Sequence, residues 1–582
     1  MSEVKLMNSL KDIINIKCDE FKDKAAFIEK NPETREFFKV SYSKVKDDVN
    51  ALGTYMIKKL NLKDQKIAVI GESSYRWYET YMAVVCGVGV IVPLDKELPD
   101  NEILNLIKRS DAKCIVYSSR KKEIIDNIKK ELPEDFLYID MNKEKSDKDS
   151  YSYDDIVKKG KNIINKGDNF YSEIEIDREK MCSLLFTSGT TSEPKGVMLS
   201  HKNLVTNIYA CYNVVPTFGN YTCLSVLPLH HTYEFTLGYL FMTSVGGTIG
   251  VCEGIKYITK DIKEIKPDFI LAVPALIEKI SEKIDKRIKE TKKELLIRTI
   301  GKVANGFSKI GIDFRKKIFA KIHETFGGNL KYIFCGAAPL DKELINKMEG
   351  YGFRFLQGYG LTECSPLLAG TSLEGGASGT VGKAVYGVEV RIDLSENVDE
   401  NSNIGEIIAK GDSIMLGYYK DEAATKKAIR NGWFYTGDVG YFDLRGNLVV
   451  TGRCKNIIVT SNGKKIFPEE IENLINKIPL VKESMVYPEE YEGKKLEVIV
   501  SARVTLDEDY IKETYGNNRP TDLQIYDMIW KEIKNINKTL VSYKAVKRLE
   551  IKDEDFIKTT TMKIKRFEEM KKIANKKARK NR

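Results

Sequence analysis

The sequence predicts an α/β protein: a large N-terminal domain of parallel sheets covered by helices, a small β subdomain, and a smaller α+β unit at the C-terminus. Three observations carry this. The chain has 582 residues, too many for one hydrophobic core, so at least two domains are expected. Residues 1–180 alternate helical patterns with short β-branched runs, the βαβ rhythm of a parallel sheet covered on both faces. From Thr380 to Val450 short strands and glycine-centred turns dominate, which predicts a small β subdomain or barrel.

Taken in order, Ile67-Ala68-Val69-Ile70 reads as a buried strand that turns at Gly71-Glu72-Ser73-Ser74 into a helix from Tyr75 to Cys86. Cys114-Ile115-Val116-Tyr117 is a second buried strand, and Leu184-Leu185-Phe186 a third. Residues 278–325 are Lys/Glu-rich and periodic with few turn signals, so two or more exposed amphipathic helices are expected. Tyr332-Ile333-Phe334-Cys335 is again strand, ending in Gly336-Ala337-Ala338-Pro339. After Gly452-Arg453 a self-contained α+β unit runs to the C-terminus, with no internal repeat or low-complexity linker before it.

Composition narrows the function classes. The longest apolar stretch, Tyr81 to Leu94, contains three glycines or prolines and is too short to span a bilayer. The first residues, Met-Ser-Glu-Val-Lys, lack the basic-then-apolar pattern of a signal peptide, so a cytoplasmic protein is expected. Ten cysteines without a C-x-x-C pair argue against zinc ribbons and dithiol chemistry; reduced, mostly buried thiols are expected. The charge of +10 comes from 94 basic against 84 acidic residues, and Lys571 to Arg582 holds seven of the basic ones. That run reads as a solvated, disordered tail, with peripheral contact to an anionic membrane as the alternative. No RNA- or DNA-reading motif is present, so no nucleic-acid partner is expected. Oligomeric state is not encoded in any pattern of this chain.

The most informative run is Leu184 to Gly196, where an apolar strand opens into Thr187-Ser188-Gly189-Thr190-Thr191-Ser192-Glu193-Pro194-Lys195-Gly196. Such a turn can offer backbone N–H groups, hydroxyls and one cation to a polyphosphate. It is not a Walker A loop, because Pro194 takes the place of its second glycine. By composition alone it reads first as an ordinary Gly/Ser surface turn. The residue order, continued by Val197-Met198-Leu199-Ser200-His201, resembles the phosphate loop of the adenylate-forming (AMP-binding) superfamily, which includes acyl-CoA synthetases, luciferases and peptide-synthetase adenylation domains.

Four further blocks follow in that superfamily's order. Gln357-Gly358-Tyr359-Gly360-Leu361-Thr362-Glu363 resembles its aromatic and acidic block, and Gly432-Trp433-Phe434-Tyr435-Thr436-Gly437-Asp438 its ribose-binding block. Gly452-Arg453-Cys454-Lys455-Asn456 is similar to the hinge, and Thr559-Thr560-Thr561-Met562-Lys563-Ile564-Lys565-Arg566 to the C-terminal lysine loop. The resemblance spans about residues 25 to 570 and implies an ATP- and AMP-binding domain over 1–452, a hinge over 453–456 and a mobile C-terminal domain over 457–582.

The chemistry explains these residue types. A carboxylate attacking the α-phosphate of ATP is already ionised, its pKa near ~4–5, so no general base is needed. The difficulty is charge crowding, which cations and aligned dipoles relieve. By resemblance, Thr187 and Glu363 match the positions for Mg²⁺, a hard cation that takes oxygen ligands. Lys195 with Ser188, Gly189, Thr190 and Thr191 would hold the β- and γ-phosphates. Tyr359 would stack on adenine between Gly336-Ala337-Ala338 and Gly358, with Gly360 and Thr362 alongside. Asp438 and Arg453 would bind the ribose hydroxyls. Lys563 would be the catalytic cation at the α-phosphate.

The family's second half-reaction brings a thiol, that of coenzyme A, to the acyl carbonyl after the C-terminal domain rotates about a hinge residue, here matching Lys455. Ser461-Asn462-Gly463 would then face the site; some members carry lysine where this chain has Asn462. Leu227-Pro228-Leu229-His230-His231-Thr232-Tyr233-Glu234-Phe235 matches the border of the acyl pocket, with His231 near the substrate carboxylate and Phe235 in the place of an aromatic that gates a tunnel. Two adjacent histidines without a third ligand do not point to zinc. The helical insert at 278–325 most resembles bacterial long-chain acyl-CoA synthetases, which implies a long-chain fatty acid, with an acyl–acyl-carrier-protein synthetase or a medium-chain or aryl acid–CoA ligase as alternatives. A binding protein that keeps the fold without turnover is disfavoured by the intact set Thr187, Glu363, Asp438, Arg453 and Lys563.

Overall fold

A computed structural model describes residues 7–187, 194–215, 221–290, 314–336, 340–372, 379–395, 403–460, 464–492, 496–558 and 563–580. They form two compact units. The first comprises the chain up to Thr187, Pro194–Glu389 and Lys410–Gly432; the second comprises Val390–Ala409 and the chain from Trp433 onward.

The first unit is built on two large sheets. In the eight-stranded one the order is Gly417–Tyr418, Lys195–Ser200, Met181–Thr187, Gly89–Pro93, Gln65–Ile70, Ala112–Tyr117, Leu137–Asp140 and Tyr151–Ser152. From Met181–Thr187 onward every pairing is parallel, and the two outer strands before it are joined by antiparallel pairings. The expected buried strands at 67–70, 114–117 and 184–186 thus sit in one parallel sheet, and Ile70, Ile115 and Leu184 pack in one apolar cluster. The nine-stranded sheet has a parallel centre from Ala25–Lys30 through Arg354–Gly360, with antiparallel strands at both edges.

The helix expected over 75–86 begins where Ser74 caps it, the Ser74 hydroxyl accepting from Trp77 N–H at 3.2 Å. It is α-helical over Tyr75–Ala83 and then widens to a π-turn over Val84–Val88, broken at Gly87. Tyr171 fills the space: its ring would lie 2.8 Å from a Cβ at Gly87 and 2.1 Å from one at Gly53. In the insert, helices span Pro274–Glu290, Arg315–Ile318 and Ala320–Thr325, and residues 291–313 lie outside the described set.

In the second unit Trp433–Phe442 pairs antiparallel with Gly405–Gly411 on one side and Leu448–Arg453 on the other, the small β structure expected there. The α+β part carries the hairpin Val481–Glu492 and Leu496–Leu506, with Val546–Lys552 added in parallel. Helices Pro468–Ile475 and Asp522–Thr539 cover it through Ile471, Ile475, Ile525, Ile529 and Ile533.

One expectation is corrected. The basic C-terminal run is not a disordered tail as far as it is described, because Arg566–Lys580 is a helix. Met570 and Ile573, three apart, pack on Met485, Tyr487 and Phe556, and Glu568 and Glu569 lie in the first turn, where the helix dipole favours acids.

All ten cysteines are thiols outside any disulfide; eight are buried, and Cys252 and Cys454 are half-buried. Among the described residues no helix is long and apolar enough to cross a membrane.

Candidate active site

In the first unit the sequence-predicted residues gather at strand ends. Thr187 closes Met181–Thr187 and pairs in register with Lys195, the first residue of the returning strand. The Thr187 hydroxyl donates to Lys195 O at 3.5 Å. Ser188, Gly189, Thr190 and Thr191 between them lie outside the described residues, as do Ala337, Ala338, Ser461, Asn462 and Gly463.

Glu363 lies on the short 3₁₀ turn Thr362–Cys364, directly after the strand Arg354–Gly360 that carries Tyr359. Glu363 Oε1 accepts from the Tyr418 hydroxyl at 2.9 Å, and the Lys195 ammonium lies 4.6 Å from the Tyr418 ring centroid. Burial and the Glu363 carboxylate push the Tyr418 phenol well above its ordinary pKa, so it remains a donor. Tyr418 belongs to none of the blocks read from sequence. Its one local signal was the pair Tyr418-Tyr419 after Gly417, which has no chemical reading of its own.

Gly336 and Gly358 sit at the carboxyl ends of two neighbouring parallel strands, where open α/β sheets take ligands. A Cβ at Gly336 would stand 3.0 Å from the Tyr233 ring, whose hydroxyl donates to Phe334 O at 3.0 Å. A Cβ at Gly360 would stand 1.8 Å from Pro366 O, so the close antiparallel strand also requires glycine there. Thr187 and Glu363 are oxygen donors, and no group of three or more His, Cys, Asp or Glu able to hold a metal occurs among the described residues. That set fits Mg²⁺ carried on phosphate oxygens, which needs only one or two protein ligands.

The segment expected to border the acyl pocket forms an unusual element: Tyr233–Phe241 is a nine-residue π-helix. π-Turns are rare and cluster at functional sites. Phe235 is 4% exposed, its ring 4.0 Å from Tyr81, 5.3 Å from Trp77 and 6.0 Å from Tyr239. His230 and His231 rings lie 3.9 Å apart, and His230 Nε2 is 3.5 Å from Asp95. Burial, with Lys96 nearby, pushes the His230 imidazole down to about 3, so it is neutral. Burial drives the Glu234 carboxyl up to about 8, against the pull of the Ser225 hydroxyl and the Val226 and Leu227 amides.

In the second unit Asp438 and Arg453 face each other in register on adjacent antiparallel strands, with Arg453 Nε 3.0 Å from Asp438 Oδ1. Asp438 is 6% exposed and its N–H donates to the Thr436 hydroxyl at 3.1 Å. Gly437 supports this turn with a left-handed φ of 73°. The end of the lysine loop is pinned by Lys565 N–H donating to Ile557 O at 2.7 Å and by Arg566, which donates to Val486 O at 3.0 Å and pairs with Glu472. Lys563 is an exposed residue, yet desolvation by crowding protein and the charge of Arg453 press its ammonium down to about 8, with Asp438 opposing. Lys455 lies on the 3₁₀ turn Cys454–Asn456.

Known proteins resemble this chain in sequence and in fold. The family model of the AMP-binding enzymes matches residues 15–419. The chain is 29% identical over 492 residues to Long-chain-fatty-acid–CoA ligase 5 of Rattus norvegicus, covering 79% of this chain and 71% of that protein. It is 26% identical to the Long-chain-fatty-acid–[acyl-carrier-protein] ligase AEE15, chloroplastic, of Arabidopsis thaliana, covering 82% of this chain and 74% of that protein. Its fold matches the crystal structure of the anthranilate CoA ligase AuaEII in complex with anthranoyl-AMP, with a TM-score of 0.76, 18% identity and 98% of each chain covered.

Proposed function

The chain belongs to the AMP-binding enzyme family, and from that premise we propose that it is a long-chain fatty acid–CoA ligase. ATP, a fatty acid and CoA become acyl-CoA, AMP and pyrophosphate through an acyl-adenylate. It is an AMP-forming acid–thiol ligase, whichever thiol it prefers.

In the first half-reaction a fatty carboxylate oxygen attacks the α-phosphorus, and the bond from that phosphorus to the bridging oxygen breaks to release pyrophosphate. Lys195 holds the β- and γ-phosphates, Asp438 and Arg453 hold the ribose, and Tyr359 stacks on adenine. Lys563 places a cation at the α-phosphate and the attacking oxygen, where charge develops. Mg²⁺, held by Glu363 and Thr187 when bound, supplies further neutralisation of the phosphates. In the second half-reaction the thiol loses its proton, a C–S bond forms at the acyl carbonyl, and the C–O bond to AMP breaks. The 457–582 domain turns about Lys455 between the two, bringing Ser461-Asn462-Gly463 toward the thiol, while His231 and Phe235 border the acyl chain.

The observation that carries the reading is the gathering of Asp438, Arg453 and Lys563, from three separate blocks, within electrostatic reach of one another. A cytoplasmic enzyme touching an anionic membrane through the Arg566–Lys580 helix belongs to the same proposal, and sedimentation with anionic vesicles tests it. The decisive experiment supplies ATP and mixed fatty acids with either CoA or acyl-carrier protein and identifies products by mass. Acyl-CoA from long-chain acids supports the reading; acyl-carrier protein as the sole acceptor, or an aryl acid as the preferred substrate, replaces it with the corresponding alternative.

A further inference from the structure

Tyr418 touches both a phosphate-loop cation and a metal-binding carboxylate that are far apart in sequence. We propose that Tyr418 is a positioning residue: its hydroxyl orients the Glu363 carboxylate and its ring seats the Lys195 ammonium, setting both for a metal–triphosphate ligand. The inference rests on the roles given to Lys195 and Glu363 above.

The placement of Tyr418 is over-determined by its backbone. Gly417–Tyr418 is the strand that pairs antiparallel with the loop's own exit strand, Tyr418 opposite Val197 and Gly417 opposite Met198. Leu416 N–H donates to Met198 O at 3.0 Å and Tyr419 N–H to Gly196 O at 2.7 Å. Three residues before Tyr418, Met415 N–H donates to Glu363 O at 2.8 Å, so the same segment holds the backbone of the carboxylate it hydrogen-bonds. Tyr418 N–H donates to the Thr425 hydroxyl at 2.8 Å, and that hydroxyl donates to Asp421 O at 2.8 Å. Gly417 has a left-handed φ of 142°, and a Cβ there would meet Thr425 at 2.8 Å, so the turn into Tyr418 requires glycine.

The side chain has two faces for two charges. At 9% exposure the phenol proton has little access to water, and Glu363 Oε1 at 2.9 Å accepts it. A carboxylate accepts several bonds, so this one orients Glu363 without exhausting it as a metal ligand. The ring presents its electron-rich face to Lys195, a contact that weakens little when phosphate oxygens approach the ammonium from the other side. Rotamer freedom of both charged side chains is thereby reduced before ligand arrives, which is how pre-organisation raises affinity.

The two contacts separate by substitution. Tyr418→Phe removes the hydroxyl and keeps the ring; Tyr418→Leu removes both. Calorimetric titration with ATP is run with Mg²⁺ and again in EDTA, with melting temperatures confirming folding. Tyr418→Phe is expected to weaken Mg–ATP binding roughly three- to tenfold, the range for losing one ordinary hydrogen bond, with metal-free ATP changed less than about twofold. Tyr418→Leu is expected to weaken both. On a Glu363→Gln background Tyr418→Phe should add almost nothing, because the two act as one unit. Wild-type Mg–ATP affinity in Tyr418→Phe, or its full effect persisting without the Glu363 carboxylate, overturns the proposal. Lys195→Met and Glu363→Gln run as benchmarks: wild-type Mg–ATP binding in both overturns the assignment of those two residues, and Tyr418 falls with them.

Discussion

At the scale of single residues, the sharpest consequence concerns Lys563. Lys563→Ala should slow acyl-adenylate formation by about 3–4 kcal/mol while leaving thioester formation from supplied acyl-AMP largely intact, because a fixed cation acts where charge develops in the first step alone. Stopped-flow pyrophosphate release and thioester assays on the two half-reactions check this; equal loss in both would count against a two-step division of labour. The depressed pKa adds a pH test. In the proposed role the protonated amine is the working form, so kcat/KM for ATP, which reports the free enzyme, should fall as pH rises through about 8. Bound phosphate stabilises the cation, so kcat should hold to higher pH. Candidate site residues at this scale stand out only through residue order: Asp438 in a Thr-Gly-Asp turn and Lys563 in a lysine-rich segment have bland readings until their blocks are set in register. Tyr418 was not legible, because its role comes from a strand pairing between segments remote in sequence.

Among the elements, the π-helix Tyr233–Phe241 is the one whose type the sequence hid. Tyr233, Phe235, Leu237 and Tyr239 alternate with Glu234, Thr236 and Gly238, a two-residue period that points to a strand, while every residue from Glu234 to Phe241 is buried. Strand positions were easier, because β-branched runs bounded by glycine mark them whichever sheet they join. If Phe235 on this helix gates an acyl channel, wild-type kcat/KM should rise about fourfold per methylene, from ~0.8 kcal/mol each, until the channel is full. Phe235→Ala should flatten that rise and cost roughly 3–5 kcal/mol of stability, since the ring sits in an aromatic cluster. Adenylation rates from acetate to stearate decide; a maximum at two to four carbons indicates a small closed pocket. The buried Glu234 on the same helix sets a pH dependence of stability. Folded Glu234 keeps its proton up to about 8, whereas unfolded it loses it near 4.5. Its contribution is therefore full below pH 4.5 and lost as pH rises through about 8. Glu234→Gln should remove on the order of 2–4 kcal/mol of that fall, measured as urea midpoints from pH 5 to 9. Glu29, raised to about 7 by burial, leaves a residual slope of the same sign.

For the whole molecule, the sequence marked a division by motif at 453–456, and compactness draws a different line. Residues 390–409 and 433–452 cluster with the C-terminal unit, and 410–432 return to the first. Strand pairing between distant segments decides such membership, and no local signal in the chain reports it. The α/β class, the parallel sheets and the α+β C-terminal part were legible because each rests on local periodicity. The tail helix was not, because seven basic residues in twelve mask the packing of Met570 and Ile573. The proposed rotation yields its own test. Lys455→Pro should restrict the hinge backbone, leaving adenylation within a few-fold of wild type and reducing thioester formation by roughly tenfold or more. Equal rates in both half-reactions would place the moving joint elsewhere.

The distribution of thiols makes that motion measurable with little engineering. Eight cysteines are shielded from reagent, and burial pushes the half-buried Cys252 thiol up to about 12, where thiolate is scarce at neutral pH. A maleimide fluorophore should therefore attach first at Cys454, the residue immediately before Lys455. The native chain thus carries its own handle beside the proposed joint, and the anisotropy of that dye should change when CoA is added to the acyl-adenylate complex.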